Sequence, residues 1–296
     1  MLAMVGSWSK RLVALVLMML TMAAPAVAHE GRAGGKLLLT NGVASIEGSS
    51  GGGVATWALI AGNESADGVG GSAHVTAIAL PDYSWRSYGA AIGVRDRIEF
   101  SYAHQRLDTR AVGARLGIGR GYALDQDVFG AKLKLAGDAV YGSPYMPQVA
   151  IGVQVKRNDD APIVAAVGGR SAKGADVYVA ATKLLLRQSV IVGTTLRYTK
   201  ANQNGLLGFG GDRGAKRTLQ VESSIGYQLS PRLVTGIEYR SKPDNLGFAR
   251  ENDWKTAFVA YAIDRHLTAT VAYVDLGAIA TAKRQRGAFF SLQTAF

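Results

Sequence analysis

Side chains alternate between apolar and polar or small along most of this chain, and that two-residue period limits what it can fold into. Between Thr218 and Tyr227, the residues Leu219, Val221, Ser223, Ile225 and Tyr227 alternate with Thr218, Gln220, Glu222, Ser224 and Gly226. A pleated strand sends successive side chains to opposite faces, so such a segment has one greasy and one wet side. The pattern returns at Ile98, Phe100 and Tyr102, at Phe129, Ala131, Leu133 and Leu135, at Val149, Ile151, Val153 and Val155, and at Leu233, Ile237 and Tyr239. It also runs through Val190, Val192, Leu196 and Tyr198, where Ile191 breaks it. The fold class is therefore all-β. With 37 Gly and no Cys, the chain is neither a disulfide scaffold nor a cysteine-ligated metal protein, and Gly shows no triplet period.

The first residues carry a different signal. Lys10 and Arg11 precede an apolar run over 12–24, and Ala26, Val27 and Ala28 follow Pro25. A basic, then apolar, then small-residue pattern reads as a cleavable export signal over 1–28, leaving one domain over 29–296. Past residue 28 the apolar bursts are a few residues long, far short of the roughly 20 that a spanning helix needs. An exported chain of this kind is either soluble or a membrane barrel.

Strand length, strand ends and connections favour the barrel. Most alternating runs are about 9–12 residues, the span of a tilted strand across a bilayer. Tyr102, Tyr198, Tyr227, Tyr239 and Tyr273 each end an apolar face, where an interfacial aromatic girdle places a ring with a polar tip. Tight turns near 187–188, 230–231 and 264–265 alternate with long connections over 108–125, 158–173, 202–215, 242–253 and 277–286, as in barrels with short periplasmic turns and long external loops. Strands are expected near 84–94, 97–107, 126–136, 147–157, 175–185, 189–200, 217–228, 232–242, 254–263, 267–276 and 287–296. Weaker ones fall near 36–46, 53–62 and 71–80, with 47–53 a flexible link. The expected fold is an antiparallel transmembrane β-barrel of about fourteen strands, with twelve the alternative, since an even number returns both ends to one side.

The chain closes on Phe290, Ser291, Leu292, Gln293, Thr294, Ala295 and Phe296. With Phe290, Leu292 and Phe296 on one face and a terminal aromatic carboxylate, this resembles the assembly signal that outer-membrane barrels present to the barrel-assembly machinery. Five further segments resemble the domain of unknown function 3034 family of proteobacterial outer-membrane barrels: GGKLLLT from Gly34, GAKLKLAGDAVY from Gly130, TKANQNGLLGFGGDR from Thr199, YRSKPDNLGFARE from Tyr239 and AYVDLGAIA from Ala272. The resemblance implies an outer-membrane barrel and carries over no activity to any residue.

Little in the sequence points to chemistry. The stretch from Gly31 to Lys36 is one residue short of a phosphate loop, and Leu37 stands where Ser or Thr would hold magnesium. Gly208, Gly210 and Gly211 lack the strand–helix setting of a dinucleotide site. His29, His74, His104 and His266 share no ligand spacing, so neither metal nor cofactor is expected. Ser72 and His74 have the i, i+2 arrangement of outer-membrane phospholipases, without an orienting partner or oxyanion donor, and the chain is expected not to be an enzyme. Glu222 and Glu238 read either as an acid/base pair or as partners of Arg197 and Arg240 across a lumen.

The formal net charge of +11 is spread over many segments and gathers into no nucleic-acid motif. Strand parity turns Arg97, Lys132, Lys134, Lys156, Arg197 and Arg240 inward, against Glu99, Glu222 and Glu238. In an open lumen this excess favours anions; paired across the lumen, the same charges close it. The expected function is passive movement of small, anionic solutes through the outer membrane, in contact with its lipids. A non-conducting structural or adhesive barrel is the alternative, and a lipid hydrolase the third reading.

Overall fold

The computed structural model describes residues 36–40, 43–63, 68–143 and 145–296. The export signal expected over 1–28 lies outside the described residues, as does most of the loop over 31–36. The strands are β1 (Val69–Ala79), β2 (Ser84–Val94), β3 (Ile98–Asp108), β4 (Ala123–Ala136), β5 (Gln148–Asn158), β6 (Gly169–Ser171) and β7 (Lys173–Leu185). They continue with β8 (Val190–Thr199), β9 (Phe209–Gly211), β10 (Thr218–Ser230), β11 (Leu233–Arg240), β12 (Trp254–Ala262), β13 (Leu267–Asp275) and β14 (Arg286–Ala295). Two six-residue helices, α1 (Arg110–Arg115) and α2 (Ala161–Ala166), sit in the connections.

Twelve of these strands form one closed antiparallel barrel, each next to its neighbour along the chain, and β6 with β9 makes a separate two-stranded ribbon. Closure is between the first and last strands, from Ser72 opposite Ala295 to Ala79 opposite Ala288. The barrel leaves none of its strand edges open, as a bilayer requires. The turns at 95–97, 186–189, 231–232 and 263–266 lie at the same rim as the start of β1 and the end of β14. The connections at 109–122, 159–172, 200–217, 241–253 and 276–285 lie at the opposite, long-loop rim.

The direction of the pleat decides between a membrane barrel and a soluble sandwich. Phe100 is 59% exposed and Ile225 48%, and Leu133 and Val153 also face out. Their sequence neighbours Glu99, Lys132, Gln154 and Ser224 are buried inside the cylinder. The greasy side of the alternation therefore looks outward, and a water-facing sheet would do the opposite. Tyr198 and Tyr239 point outward near the long-loop rim, and Tyr227 near the other.

Two of the fourteen expected strands are not strands. Neither 36–46 nor 53–62 joins the barrel, which has twelve members, and the link expected over 47–53 is buried almost throughout. The physical reason lies in their composition. From Val54 to Ala61 the only polar side chain is Thr56, and Leu37, Leu38 and Leu39 are consecutive. A membrane strand needs one face for lipid and one for the lumen, whereas such a run suits a segment enclosed on all sides. Residues 43–63 occupy the barrel interior.

Val153 is central in β5 and faces outward. Replacing it by Arg is expected to lower folding stability in lipid vesicles by roughly 2–4 kcal/mol, the cost of a cation on the lipid face near mid-bilayer. Urea titration followed by Trp fluorescence measures it, and an unchanged midpoint would mean that Val153 does not face acyl chains.

Candidate functional site

The site is the barrel lumen and the segment within it. Lys36 anchors the entry, with its Nζ 3.0 Å from Asp96 Oδ1 and donating to the Ile60 carbonyl at 2.7 Å. The exit is at the same rim, where Asn63 N donates to the Phe296 carbonyl at 3.1 Å. Between them the chain reverses tightly. Gly48 N donates to Ser45 O at 2.9 Å, Ser45 N to Ser49 O at 2.9 Å, and Ile46 N to Gly53 O at 3.0 Å. The glycines here serve close approach. A Cβ on Gly52 would overlap the Glu238 carboxylate, and Gly48 adopts φ +87 against the Tyr102 carbonyl.

A backbone without regular structure needs partners for its N–H and C=O groups when water is excluded. The wall supplies them. Glu99 accepts from Ser50 N at 3.1 Å and from Ala61 N at 2.9 Å; Glu238 accepts from Val54 N at 3.0 Å, and Glu222 from Thr56 N at 2.7 Å. In return Lys132 Nζ donates to the carbonyls of Ser50 at 3.0 Å and Leu59 at 2.7 Å. Gln148 donates to Ala58 O and Gln105 to Ile46 O, each at 2.7 Å, and Thr195 to Thr56 O at 2.6 Å. Lys132 is also 3.0 Å from Glu99, so this pair holds both limbs of the plug.

Glu47 sits at the innermost bend. Its Oε1 is 2.5 Å from Lys156 Nζ, and its Oε2 is 2.7 Å from Arg240 Nη1 and 3.4 Å from Arg197 Nη2. These cations come from β5, β11 and β8. Lys156 also reaches Asp176 at 2.7 Å, and Arg197 Nε reaches Glu222 at 2.5 Å. Three cations and three carboxylates thus balance in a space where all six residues are almost completely buried. Arg197 further lies over the Tyr178 ring, 5.0 Å from its centroid. Gly152 in β5 leaves room for that ring.

The same cluster holds the long-loop side shut. Asn204, in the 200–217 connection, accepts from Lys156 Nζ and Arg240 Nη2 at Oδ1, both at 2.9 Å. Asn202, Gln203, Leu206, Leu207 and Phe209 of that connection are buried, with the Phe209 ring over Gly174. Trp85 and Trp254 meet edge to face at 5.4 Å within the apolar cluster that includes Ile46, Leu206, Leu246 and Leu276. Plug and infolded loop therefore meet at one set of charges. Just outside it, Lys242 pairs with Glu251 at 2.8 Å; burial pulls the ammonium down and pushes the carboxyl up from their usual ranges.

Of the nine charges that strand parity turned inward, Glu99, Lys132, Lys156, Arg197, Glu222, Glu238 and Arg240 are buried in the lumen. Arg97 is exposed in the 95–97 turn, and Lys134 is at the rim, 2.5 Å from Asp96. Glu222 and Glu238 do not form a pair of their own: Glu222 takes Arg197, and Glu238 takes Val54 N and the Thr256 hydroxyl. Ser72 and His74 are buried; His74 Nε2 is 3.3 Å from Ser87 Oγ, and Ser87 donates to the Ile46 carbonyl at 2.7 Å. His104 lies beside Asp127 at 3.0 Å, and His266 beside Ala295 O at 2.9 Å. Phe290, Leu292 and Phe296 face outward on and just after β14. Sequence reasoning missed Glu47 and Asp176, which complete the charge balance. Among the described residues no group of His, Asp and Glu has the arrangement of a metal site.

The family model described as protein of unknown function DUF3034 matches residues 40–293. The chain belongs to the DUF3034 family. No curated protein matches it. Among solved structures, the DUF3034 barrel is similar to a KdgM porin in complex with disordered oligogalacturonate, at TM-score 0.51 and 10% identity, covering 76% of this chain and 99% of that one. A NanC porin aligns at TM-score 0.49 and 10% identity over 76% and 98% of the two chains. An outer-membrane channel from Pseudomonas putida F1 aligns at 0.46 and 9% identity over 79% and 96%. The fold is thus the porin-like barrel of outer-membrane proteins.

Replacing Glu47 by Gln leaves Lys156, Arg197 and Arg240 facing two carboxylates. Losing one partner of a buried ion cluster costs about 3–5 kcal/mol. Because the barrel ladder does not pass through Glu47, that cost is expected to fall on the plug. In hydrogen exchange read by mass spectrometry, amides of 44–61 are expected to exchange at least tenfold faster in the variant, while those of β5, β8 and β11 keep their protection.

Proposed function

We propose that this protein is a porin-like channel of the outer membrane, closed at rest by residues 43–63 and by the 200–217 connection that meets them at the same charges, which passes small solutes when the plug withdraws and that connection lifts from Lys156 and Arg240. The observation that carries this reading is the seating of Glu47 on three cations from three separate wall strands. The plug is held by hydrogen bonds and ion pairs to side chains, and the barrel ladder is complete without it. Water can replace such contacts one for one, so withdrawal leaves a polar, wettable lumen with no torn β-sheet.

Withdrawal also sets selectivity. With Glu47 gone, Lys156, Arg197 and Arg240 face only Asp176 and Glu222 at that level, and a local excess of basic side chains favours anions. Export by the leader over 1–28, and insertion through the last strand with Phe290, Leu292 and Phe296 presented to the assembly machinery, belong to the same reading. It assigns no catalytic step. His74 and Ser72 are enclosed in the wall beneath the plug, away from the lipid surface.

Planar-bilayer recording tests it. The intact protein is expected to be silent or to open rarely, and Glu47→Gln, or a chain lacking 36–63, is expected to conduct steadily with an anion-selective reversal potential under a salt gradient. Heat-modifiable migration on gels verifies that each variant is folded. A plug-deleted chain that stays folded and silent even with Asn204→Ala, which frees the 200–217 connection from Lys156 and Arg240, would overturn the channel in favour of a non-conducting structural barrel.

A further inference from the structure

A basic feature outside the lumen lies on the outer wall. There, at the long-loop rim, Tyr239, Lys255, Asp275 and Arg286 stand side by side, one from each of β11, β12, β13 and β14 in direct cross-strand register. The 241–253 and 276–285 connections rise above this row and enclose a cavity of about 920 Å³ with it. The cavity is fixed by the two loops gripping each other, because Ala278 N donates to Asn252 Oδ1 at 3.1 Å and Gly277, at φ +68, packs on Asn252.

Its charge is one-sided. Arg250, Lys255, Lys283, Arg284 and Arg286 line it against two carboxylates, Asp253 and Asp275. Both carboxylates are engaged. Asp253 accepts from the Tyr239 hydroxyl at 2.6 Å, and Asp275 holds Arg286 at 2.7 Å. The other four cations are exposed around the space. Immediately below the row, on the same outward face, come Ile237, Ala257, Tyr273 and Ala288, with Ile237 and Tyr273 among the most exposed apolar residues of the wall. A charged shelf thus stands directly on an acyl-chain-facing surface.

We propose that this cavity binds the phosphorylated headgroup of an anionic outer-leaflet lipid, with phosphate held by Lys255, Lys283 and Arg284 and acyl chains lying along Ile237 and Tyr273. The shelf supplies what the phosphate requires, and the apolar wall below distinguishes a lipid from a free anion, for which it offers nothing. An interface is where basic side chains on a membrane protein meet lipid phosphate most favourably. The site uses no residue of the plug or the central cluster. It rests on the membrane-spanning reading and is independent of whether the lumen conducts.

The test is binding of bis-phosphorylated lipid A to the full chain in zwitterionic nanodiscs, with sodium phosphate as competitor. Lys255→Gln, Lys283→Gln and Arg284→Gln together are expected to weaken lipid A binding by more than about tenfold. Neutralising Arg187, Arg232 and Arg265 at the opposite rim is expected to change it by less than about twofold. Millimolar phosphate is expected not to displace the lipid. Unchanged affinity in the first variant, equal losses in both, or displacement by phosphate would each overturn the proposal. Conductance enters none of these outcomes, so they stand apart from the channel test.

Discussion

Everything in this lumen follows from the need to satisfy an irregular backbone in a space closed to water. A strand in the wall meets that need through its neighbours; residues 43–63 join no sheet and pair with themselves only in tight reversals, as at Ala44 with Ser50 and Gly51 with Thr56. They depend on side chains pointing in from the wall, and these must be long and carry strong donors or acceptors. Glu99, Glu222 and Glu238 serve as acceptors for plug N–H groups, and Lys132 and Gln148 as donors to plug carbonyls. Charges placed there then need countercharges, which brings Glu47 into line with Lys156, Arg197 and Arg240. The inward charges of this barrel therefore act first as surrogate strand partners.

Much of this was readable from the residues. Alternation located eleven wall strands and, with the weaker run near 71–80, the twelfth, because a membrane wall imposes opposite solvents on its two faces. It misled at 36–46 and 53–62, where short apolar runs suggest strands but offer no wet face. Such runs have one solvent on every side, and periodicity carries no information about that setting. The glycines at 51–53 read as a flexible link, yet Gly51 and Gly52 are needed because the Ala55 carbonyl and the Glu238 carboxylate lie where their side chains would be.

The charged site was legible strand by strand but not as a cluster. Parity placed Lys156, Arg197 and Arg240 inward, and the outward Val177 and Val179 already turn Asp176 the same way. Glu47 belongs to no alternating run, so nothing in its neighbourhood marks it as the group on which three strands converge. The excess of inward cations expected from the sequence disappears because Arg97 and Lys134 stand outside the lumen and Asp176 stands in it, which sets Lys132, Lys156, Arg197 and Arg240 against Glu99, Asp176, Glu222 and Glu238. These wall charges balance in number, and what Glu47 offsets is the local concentration of Lys156, Arg197 and Arg240 at one level of the lumen.

Both ends of the plug leave through one rim, and its second limb continues at Asn63 into β1 after only a few residues. Its tethering has a kinetic consequence. A displaced segment stays within reach of the cations it left, at an effective concentration set by a short leash and not by the medium. On the proposed gating, resealing is then a first-order event that calls for no second molecule.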